Sequence, residues 1–310
     1  MRVRTLVISV LVFLFLLQSN VLKASIKIKY KIGDEIITNT DINNEKNYLI
    51  FLRPDLRNLS NDEILKISQN SLIREIIKKK EIKRVFKDLN NELIINEVKK
   101  KFFIFKNVSS EKEFLKLLET SNLDYEKIVE KMKYEAFWNE LIFQKYNPMI
   151  KIDKEQLRIN LKTKISKDKK FEYNISEILF EIEKNENLRN KYKKIIKYIN
   201  SNDFKAAASR FSISNSANNG GEVGWIKETL LSENLNSILK KIDKNEITEP
   251  IKYPTGYLIL RINDKKELKQ KINIEKELNE LVIYEKNRQL NQFSLLLFKK
   301  LKQNIKINEY

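Results

Sequence analysis

Glycine is scarce in this chain, and three of its five glycines stand together at Gly220, Gly221 and Gly224. The 310 residues contain only four prolines, so few positions interrupt regular backbone structure. Leucine, isoleucine, lysine and glutamate are abundant, and such a composition with few breakers favours helices. We therefore expect a largely helical protein with one segment of different character around the glycine cluster.

The length and hydrophobic content of the chain indicate more than one packed core. A chain of 310 residues exceeds what one small core needs, and 42% hydrophobic residues is enough to fill such cores. We expect two domains, or one domain with a second inserted into it.

The chain has neither cysteine nor histidine, and this excludes several kinds of chemistry. Disulfides, thiolate metal sites and cysteine nucleophiles are excluded, as are catalytic pairs that use histidine. Zinc sites are nearly excluded for the same reason. The cluster Gly220–Gly224 lacks the spacing of a phosphate-binding loop. We therefore expect no metal, no cofactor and no bound nucleotide.

The formal net charge of +18 is compatible with a polyanionic partner. The lysines, however, are spread along the whole chain, and no basic cluster alternates with aromatic residues. We interpret the charge as a general compositional bias and expect no nucleic-acid partner. It leaves room for attraction to acidic polypeptides and for transient contact with a membrane surface.

The first residues have the pattern of a secretory signal. Arg2 and Arg4 precede an apolar run of 13 residues from Thr5 to Leu17, and Ala24 supplies a small residue before the expected cut. The run is shorter than the ~20 residues that span a bilayer. Residues 1–24 are therefore predicted to be a cleaved signal peptide that directs the protein to the periplasm. An uncut membrane anchor is the alternative.

The mature chain begins with an alternating pattern that predicts a hairpin. Ile26–Ile32 alternates apolar and polar residues, Gly33 and Asp34 form a turn, and Glu35–Thr38 resumes the strand. Any residue of the stretch 39–41 can then cap a helix.

Helix start signals and apolar stripes follow. Ser60 and Ser110 each stand three residues before a glutamate, which is the pattern of a capping box. Further on, Ile128, Met132 and Ala136 recur on one face of a predicted helix. Such stripes are typical of a packed core rather than of a ligand site.

The middle of the chain, residues 169–265, changes to a mixed pattern. It predicts a strand over 173–182, helices over 186–200, 203–211 and 232–240, and strands on each side of the glycine-containing turns. The order β, α, α, β, α, β, β is that of a compact α+β domain.

The last segment, residues 266–310, returns to a helical pattern and then alternates again. Ile305-Lys306-Ile307 repeats the alternation of Ile26–Ile32, so the two segments are predicted to pair as strands. The two ends of the chain would then form one domain, with the middle segment inserted between them.

The middle segment resembles the parvulin-type peptidyl-prolyl isomerases. Ile175-Ser176-Glu177-Ile178-Leu179 is similar to the family's ISHIL strand, and Asp203–Ala208 is similar to DFAxLA. Ser216–Trp225 is similar to SAxxGGDLGW, and Gly256–Ile262 to GYHIIKV. Several matches in the family's order make this resemblance specific.

The flanking segments resemble those of the SurA-type periplasmic chaperones, in which a hairpin like Ile32–Ile42 opens the N-terminal domain. This resemblance implies an α+β chain: a mostly helical SurA-N-like chaperone domain with an inserted parvulin-like domain of the FKBP-type superfold. The implied divisions are 25–168 for the N-terminal chaperone domain, 169–265 for the parvulin domain and 266–310 for a C-terminal helix and strand. The better-known relatives carry two parvulin domains, whereas this chain has one.

The chain departs from the parvulin pattern at the polar positions. The family uses two histidines with an Asp or Cys, and Glu177, Ser214 and Leu258 stand at these positions here. The methionine and phenylalanine of the family's proline pocket align with Leu231 and Leu235. The resemblance thus implies no catalytic residue. It implies peptide contacts at Glu177, Leu231, Leu235 and Leu258.

We are left with a leading hypothesis and two alternatives. The first is an ATP-independent periplasmic chaperone for unfolded outer-membrane β-barrel proteins, with a silent parvulin domain. Its clients would bind on an apolar concave surface with a basic rim, between the N- and C-terminal helices. The second is an active prolyl isomerase in which Glu177 replaces the missing network. The third is a membrane-tethered, PpiD-like foldase whose signal stays uncut.

Overall fold

The computed structural model describes residues 26–165, 170–183, 185–268 and 273–310. The predicted signal peptide, residues 1–24, lies outside the described residues. The strands are β1 (Ile28–Ile32), β2 (Glu35–Thr38), β3 (Phe171–Phe180), β4 (Glu222–Lys227), β5 (Ile251–Tyr253), β6 (Gly256–Glu267) and β7 (Ile307–Glu309). The helices are α1 (Asn39–Leu52), α2 (Asn61–Val85), α3 (Glu92–Lys106), α4 (Glu111–Thr120), α5 (Tyr125–Tyr146), α6 (Lys154–Ile165), α7 (Leu188–Ser201), α8 (Phe204–Phe211), α9 (Glu233–Leu239) and α10 (Ile274–Gln303).

A small sheet joins the two ends of the described chain. Its strand order is β2-β1-β7, and both pairings are antiparallel. Ile32 of β1 lies opposite Ile307, and the Tyr30 hydroxyl donates a hydrogen bond of 2.9 Å to Glu309 of β7. The predicted pairing of the first and last strands is confirmed.

The helices begin where side chains satisfy free backbone N–H groups. Ser60 and Ser110 accept hydrogen bonds from the backbone N–H groups three residues later, so both predicted caps are confirmed. The cap of α1 is Thr38, not a residue of 39–41 as predicted. Thr38 is still extended as the last residue of β2, and its hydroxyl therefore reaches the N–H of Asp41.

The helical part is packed around α5. Trp138 is fully buried there with Ile82, Phe137 and Leu141, and its indole N–H donates a 2.9 Å hydrogen bond to Ser294 of α10. The predicted stripe of Ile128, Met132 and Ala136 is buried as expected. Burial of a large apolar side chain contributes about 1.5–3 kcal/mol to the free energy of unfolding. The apolar cluster around Trp138 therefore stabilises the packing of α10 against the N-terminal helices.

The second sheet has the strand order β4-β3-β6-β5 and is antiparallel throughout. Because side chains alternate along a strand, its two faces carry different clusters. One face packs against α7 and α8 through residues that include Ile178, Phe180 and Phe204. The other face carries Leu179, Leu258 and further apolar residues. With the helical part, this sheet makes an α+β fold, as predicted.

Helix α10 connects the parts of the molecule. Its 30 residues span ~45 Å at 1.5 Å per residue. Near its start, Leu278 and Leu281 pack on Leu161 of α6. Further on, Leu295 joins the apolar face of the second sheet, while Leu297 joins the cluster around Trp138. One helix therefore contacts both the parvulin-like segment and the helical part.

Candidate functional site

The side chain of Glu177 is held by two serine hydroxyls. Ser214 Oγ donates to Glu177 Oε1 at 2.5 Å, and Ser216 Oγ donates to the same oxygen at 2.8 Å. The two serine oxygens lie 3.1 Å apart. The structure thus brings together two of the positions predicted from the sequence, Glu177 and Ser214, and adds Ser216.

The loop that carries these serines is fastened to β3. Ser212 Oγ accepts hydrogen bonds from the N–H groups of Leu179 and Ser214, at 3.1 and 3.2 Å. The N–H of Ile213 donates to the carbonyl of Leu179 at 2.7 Å. Since Leu179 is two residues from Glu177 on the same face of the strand, these bonds place Ser214 beside the Glu177 carboxylate.

The glycine turn fixes the other side of Glu177. The backbone N–H of Glu177 donates to the carbonyl of Gly221 at 2.8 Å. Gly221 has a φ of +77°, and a Cβ atom there would lie 2.3 Å from the Glu177 carbonyl oxygen. The position therefore requires glycine, both for its backbone conformation and for the close approach of the turn to β3. As predicted, the cluster forms a turn into the strand of Trp225.

Glu177 faces a cavity of about 320 Å³. On the sheet side, the cavity is lined by Leu179, Leu258 and the two serines. Leu258 pairs with Leu179 across β3 and β6, and Leu260 pairs with Glu177, so all of them share one face of the sheet. Leu258 thus lies in the same cavity as Glu177.

Helix α10 forms the opposite wall of this cavity. Tyr284, Arg288 and Leu295 line it, together with Asn287 and Asn291. Arg288 is paired with Glu285 on the same helix through hydrogen bonds of 2.8 and 2.5 Å. This wall was not predicted, because nothing in the sequence of α10 indicates which surface it covers.

The titratable groups of the cavity do not form a proton-transfer pair. Burial raises the pKa of the Tyr284 hydroxyl, and Tyr253 adds to that rise, so Tyr284 is uncharged at neutral pH. In the part of the chain that the structure describes, the side-chain partners of Glu177 are the two serine hydroxyls. The arrangement can hold a polar group by hydrogen bonds. The charge of Glu177 also contributes to the raised pKa of Tyr284, but among the described residues no hydrogen bond joins these two side chains.

Leu231 and Leu235 lie near this site but do not line the cavity. Leu231 is buried and Leu235 half-buried in the apolar cluster that also contains Leu258. Sequence reasoning missed Ser216 and Tyr253. Ser216 could have been found, because it opens the motif Ser216–Trp225 and lies two residues after Ser214.

A larger cavity of about 670 Å³, which we call the cradle, lies between the N-terminal helices and the loop 212–219. Its apolar and aromatic lining comes from α1, α3 and α5: Tyr48, Leu52, Val98, Phe102, Phe105, Met132 and Tyr134. Its charged lining consists of Glu45, Arg74, Glu75, Lys78, Lys101, Lys131 and Glu135. A further cavity of about 600 Å³ lies where the sequence places a client site, between α3, α5 and α10.

Asn215 lines all three of these cavities. It stands on the loop between the two serines that hold Glu177. The parvulin-like groove and the spaces in the helical part therefore meet at one point.

The described residues contain neither a candidate membrane span nor a candidate metal site. No helix there combines the length and the apolar character needed to cross a bilayer. Among the same residues, no group of three or more acidic side chains could hold a metal ion.

Comparison with protein families settles the nature of the second sheet. Residues 174–264 match the family described as Rotamase, PPIC-type PPIASE domain. These residues are a parvulin-type domain. The match coincides with strands β3 to β6 and the helices between them, and so includes Glu177, Ser214 and Leu258.

The curated relatives match this chain over segments about as long as the parvulin-type domain. Chaperone SurA of Buchnera aphidicola is 36% identical over 78 residues, which is 23% of this chain and 18% of that protein. Foldase protein PrsA 4 of Bacillus cereus is 34% identical over 83 residues, which is 25% of this chain and 30% of that protein. The chain thus matches less than a third of the length of either relative. The resemblance to SurA-like chaperones is confirmed at the level of this single parvulin domain.

A solved Campylobacter jejuni structure aligns over a longer stretch. It is described as one of two structurally related SurA-like chaperones. The alignment covers 91% of this chain and 98% of the Campylobacter chain. The sequence identity is 16% and the TM-score 0.38.

Proposed function

We propose that this protein is an ATP-independent chaperone that binds unfolded polypeptides, and that its parvulin domain does not catalyse prolyl isomerisation. The observation that carries the proposal is the state of Glu177. It stands where the family has a histidine, and its hydrogen-bond partners are serine hydroxyls rather than a titratable side chain. The spaces next to this groove are large and lined by mixed aromatic and charged side chains.

The cradle has the properties of a client-binding surface. Aromatic side chains such as Phe102 and Phe105 provide apolar contact, and lysines such as Lys101 stand at its edge. Helix α3 has no buried residue, and Leu93 and Ile104 on it are about 80% exposed. Unfolded outer-membrane proteins carry alternating apolar and polar residues, so weak contacts at several places would keep them soluble. We therefore propose such proteins as clients.

The chemistry of the groove supports the proposal of a silent parvulin domain. Rotation about a peptide bond has a barrier of ~18–20 kcal/mol, and a catalyst must stabilise the twisted state more than the planar one. Glu177 is engaged with the serines, Leu258 is apolar, and α10 closes the opposite side. A groove of this kind binds both states equally well and accelerates nothing.

We propose that Glu177 and Leu258 contact a bound peptide directly, because both line the groove. Leu231 and Leu235 would support it from the cluster beneath. In the same way, we propose the division into 25–168, 169–265 and 266–310, with the outer two segments forming one domain through β1 and β7.

The proposed location is the periplasm, after cleavage of residues 1–24. The basic and then apolar pattern of the first residues supports it, as does the small residue Ala24 before the expected cut. N-terminal sequencing of the mature protein tests the cleavage. A start at Ser25 supports a released chaperone, whereas retention of Met1 supports the membrane-tethered alternative.

Paired assays on the purified protein test the proposed function. One follows aggregation of an unfolded outer-membrane protein, and the other follows refolding limited by X-Pro isomerisation, which takes tens to hundreds of seconds uncatalysed. We expect suppressed aggregation and unchanged refolding. Acceleration that disappears in Glu177→Ala would instead show an active isomerase, and unhindered aggregation would show that the protein is no chaperone for this client.

A further inference from the structure

Arg74 lies at the junction between the cradle and the parvulin domain. It belongs to α2, and its side chain lines the cradle. Its guanidinium donates to the backbone carbonyls of Ser212, at 3.1 Å, and Ser214, at 3.3 Å. Both acceptors are neutral, so these bonds satisfy two N–H groups without neutralising the positive charge.

The carboxylates of the cradle are all paired with lysines. Lys78 lies 3.3 Å from Glu135, and Lys131 lies 2.7 Å from Glu45 and also contacts Glu75. Within the described ranges, no carboxylate oxygen lies within 4 Å of a guanidinium nitrogen of Arg74, so Arg74 forms no ion pair there. Lys101 also lines the cradle, but its side chain is exposed and can be hydrated.

This environment is unfavourable for an isolated cation at Arg74. Burial lowers the pKa of the Arg74 guanidinium, and Glu135 opposes that change only in part. A guanidinium has five N–H donors, and its planar fork fits a carboxylate with two parallel hydrogen bonds. Two donors of Arg74 are used, so others remain for a group entering from the cavity.

Aromatic residues stand around the same space. Phe102 and Phe105 of α3 line the cradle on one side, and Tyr48 and Tyr134 line it on others. Phe105 is about half exposed. A cavity of about 670 Å³ has room for a large side chain as well as for a carboxylate.

We propose that the cradle binds a carboxylate of its polypeptide ligand at Arg74, with an adjacent aromatic side chain packed against Phe102 and Phe105. The inference rests on the proposed chaperone function and names the chemistry that the cradle selects. The carboxylate can come from a chain terminus or from an Asp or Glu side chain. Charge complementarity favours both sources over a neutral peptide.

Binding of labelled peptides to the full chain tests the proposal. The peptides share one apolar sequence that ends in phenylalanine. One has a free C-terminal carboxylate, one is amidated, and one is amidated but has glutamate before the phenylalanine. We expect the first or the third to bind about tenfold or more tightly than the neutral amidated peptide. Whichever of the two does so identifies the source of the carboxylate.

Arg74→Gln should abolish this preference, because it removes the positive charge that the carboxylate would meet. Phe102→Ala should weaken all the peptides, because it removes apolar contact rather than charge. If Arg74→Gln keeps the preference, or if the wild type shows none, the inference is wrong.

Arg53 offers a matched control. It also reaches from the helical part to the parvulin domain, where it contacts the Lys205 carbonyl at 3.4 Å and the Ser209 hydroxyl. Unlike Arg74, it is paired with an aspartate, Asp55 at 2.5 Å, and it does not line the cradle. Arg53→Gln should leave the peptide preference intact. An equal loss in both variants would assign the effect to the domain contact and overturn the proposal.

An unfolded client separates this inference from the function on which it rests. If the protein suppresses aggregation of the client but does not distinguish acidic from amidated peptides, the Arg74 site is wrong and the chaperone function stands. If the protein binds no polypeptide at all, both proposals fail.

Discussion

Gly221 shows how closely single residues are constrained at the groove. Its carbonyl accepts the N–H of Glu177, and a Cβ atom on it would meet the Glu177 backbone and Ala208. Gly224, three residues on, also has a positive φ of +91°, but nothing lies within 4 Å of the place where its Cβ would be. A side chain at position 224 would meet backbone strain alone, whereas one at position 221 would also meet neighbouring atoms.

We predict that Gly221→Ala destabilises the parvulin domain more than Gly224→Ala does. The methyl group added at position 224 brings only the left-handed strain of about 1–2 kcal/mol. At position 221, the same strain is joined by contacts of 2.3 Å to the Glu177 carbonyl oxygen and 2.8 Å to Ala208. Urea unfolding of both variants measures the difference. Equal losses would show that the turn shifts to accommodate the methyl group.

At the scale of elements, a buried carboxylate joins the start of β3 to α9. Glu228 is 3% exposed. It accepts hydrogen bonds from the Phe171 N–H at 3.1 Å and Asn236 at 3.0 Å, and it lies 2.6 Å from Lys240. Burial by itself raises the pKa of Glu228, but the bonds from Lys240, Asn236 and Phe171 outweigh it and hold this pKa below its usual range.

The lowered pKa of Glu228 predicts a pH-dependent stability. A carboxyl whose pKa is lower in the folded state stabilises the fold above its unfolded pKa of ~4.3, and this contribution is lost as the pH falls through the folded pKa. Glu228→Gln should therefore unfold more easily than the wild type at pH 7, with a difference that shrinks in acid. Urea unfolding of both proteins, repeated from pH 7 down to below the unfolded pKa, measures this difference.

Asp264→Asn is the control for this experiment. Asp264 forms an ion pair of 2.9 Å with Lys244, but both side chains are about half exposed or more. Exposed pairs contribute little because solvent screens them, so this variant should unfold nearly like the wild type at pH 7. A Glu228→Gln curve that runs parallel to the wild-type curve at all pH values would contradict the prediction.

At the scale of the whole molecule, the two ends of the described chain stabilise each other. β7 pairs with β1, and the N–H of Gly33 donates to the Lys306 carbonyl at 3.2 Å. Ile305 packs in the cluster of Ile32 and Ile77. The second sheet shares no strand with this one, so the two sheets are linked through α10 and through side-chain contacts.

We predict that deletion of residues 304–310 loosens the first sheet and leaves the second sheet nearly unchanged. The deletion removes the β1–β7 hydrogen bonds and the apolar contact of Ile305. Amide hydrogen exchange should accelerate in β1 and stay slow in β3, which serves as the internal control. Equal acceleration in both strands would show that the molecule unfolds as one unit.

Features that depend on residues close together in the chain could be predicted from the sequence alone. The caps Ser60 and Ser110 follow from residues three positions apart. The alternation in Ile26–Ile32 predicts a strand, which the structure has over Ile28–Ile32, but of its apolar positions only Tyr30 and Ile32 are buried. The parvulin motifs locate Glu177 and Ser214, since those motifs carry the family's turns and strand register. The pairing of the chain ends was within reach, because two strands with matching patterns needed partners.

Which surfaces meet depends on the packing of segments that are distant in the chain. The apolar periodicity of α10 shows that it is buried but not that Tyr284 and Leu295 close the parvulin groove. Helix α3 has runs of adjacent apolar residues without one clear stripe, so its place beside the cradle was not predicted. Arg74 looks like any surface arginine in the sequence. The loop of Ser212 and Ser214 packs over it and gives its guanidinium backbone carbonyls as partners, and such a contact between distant segments has no local signature.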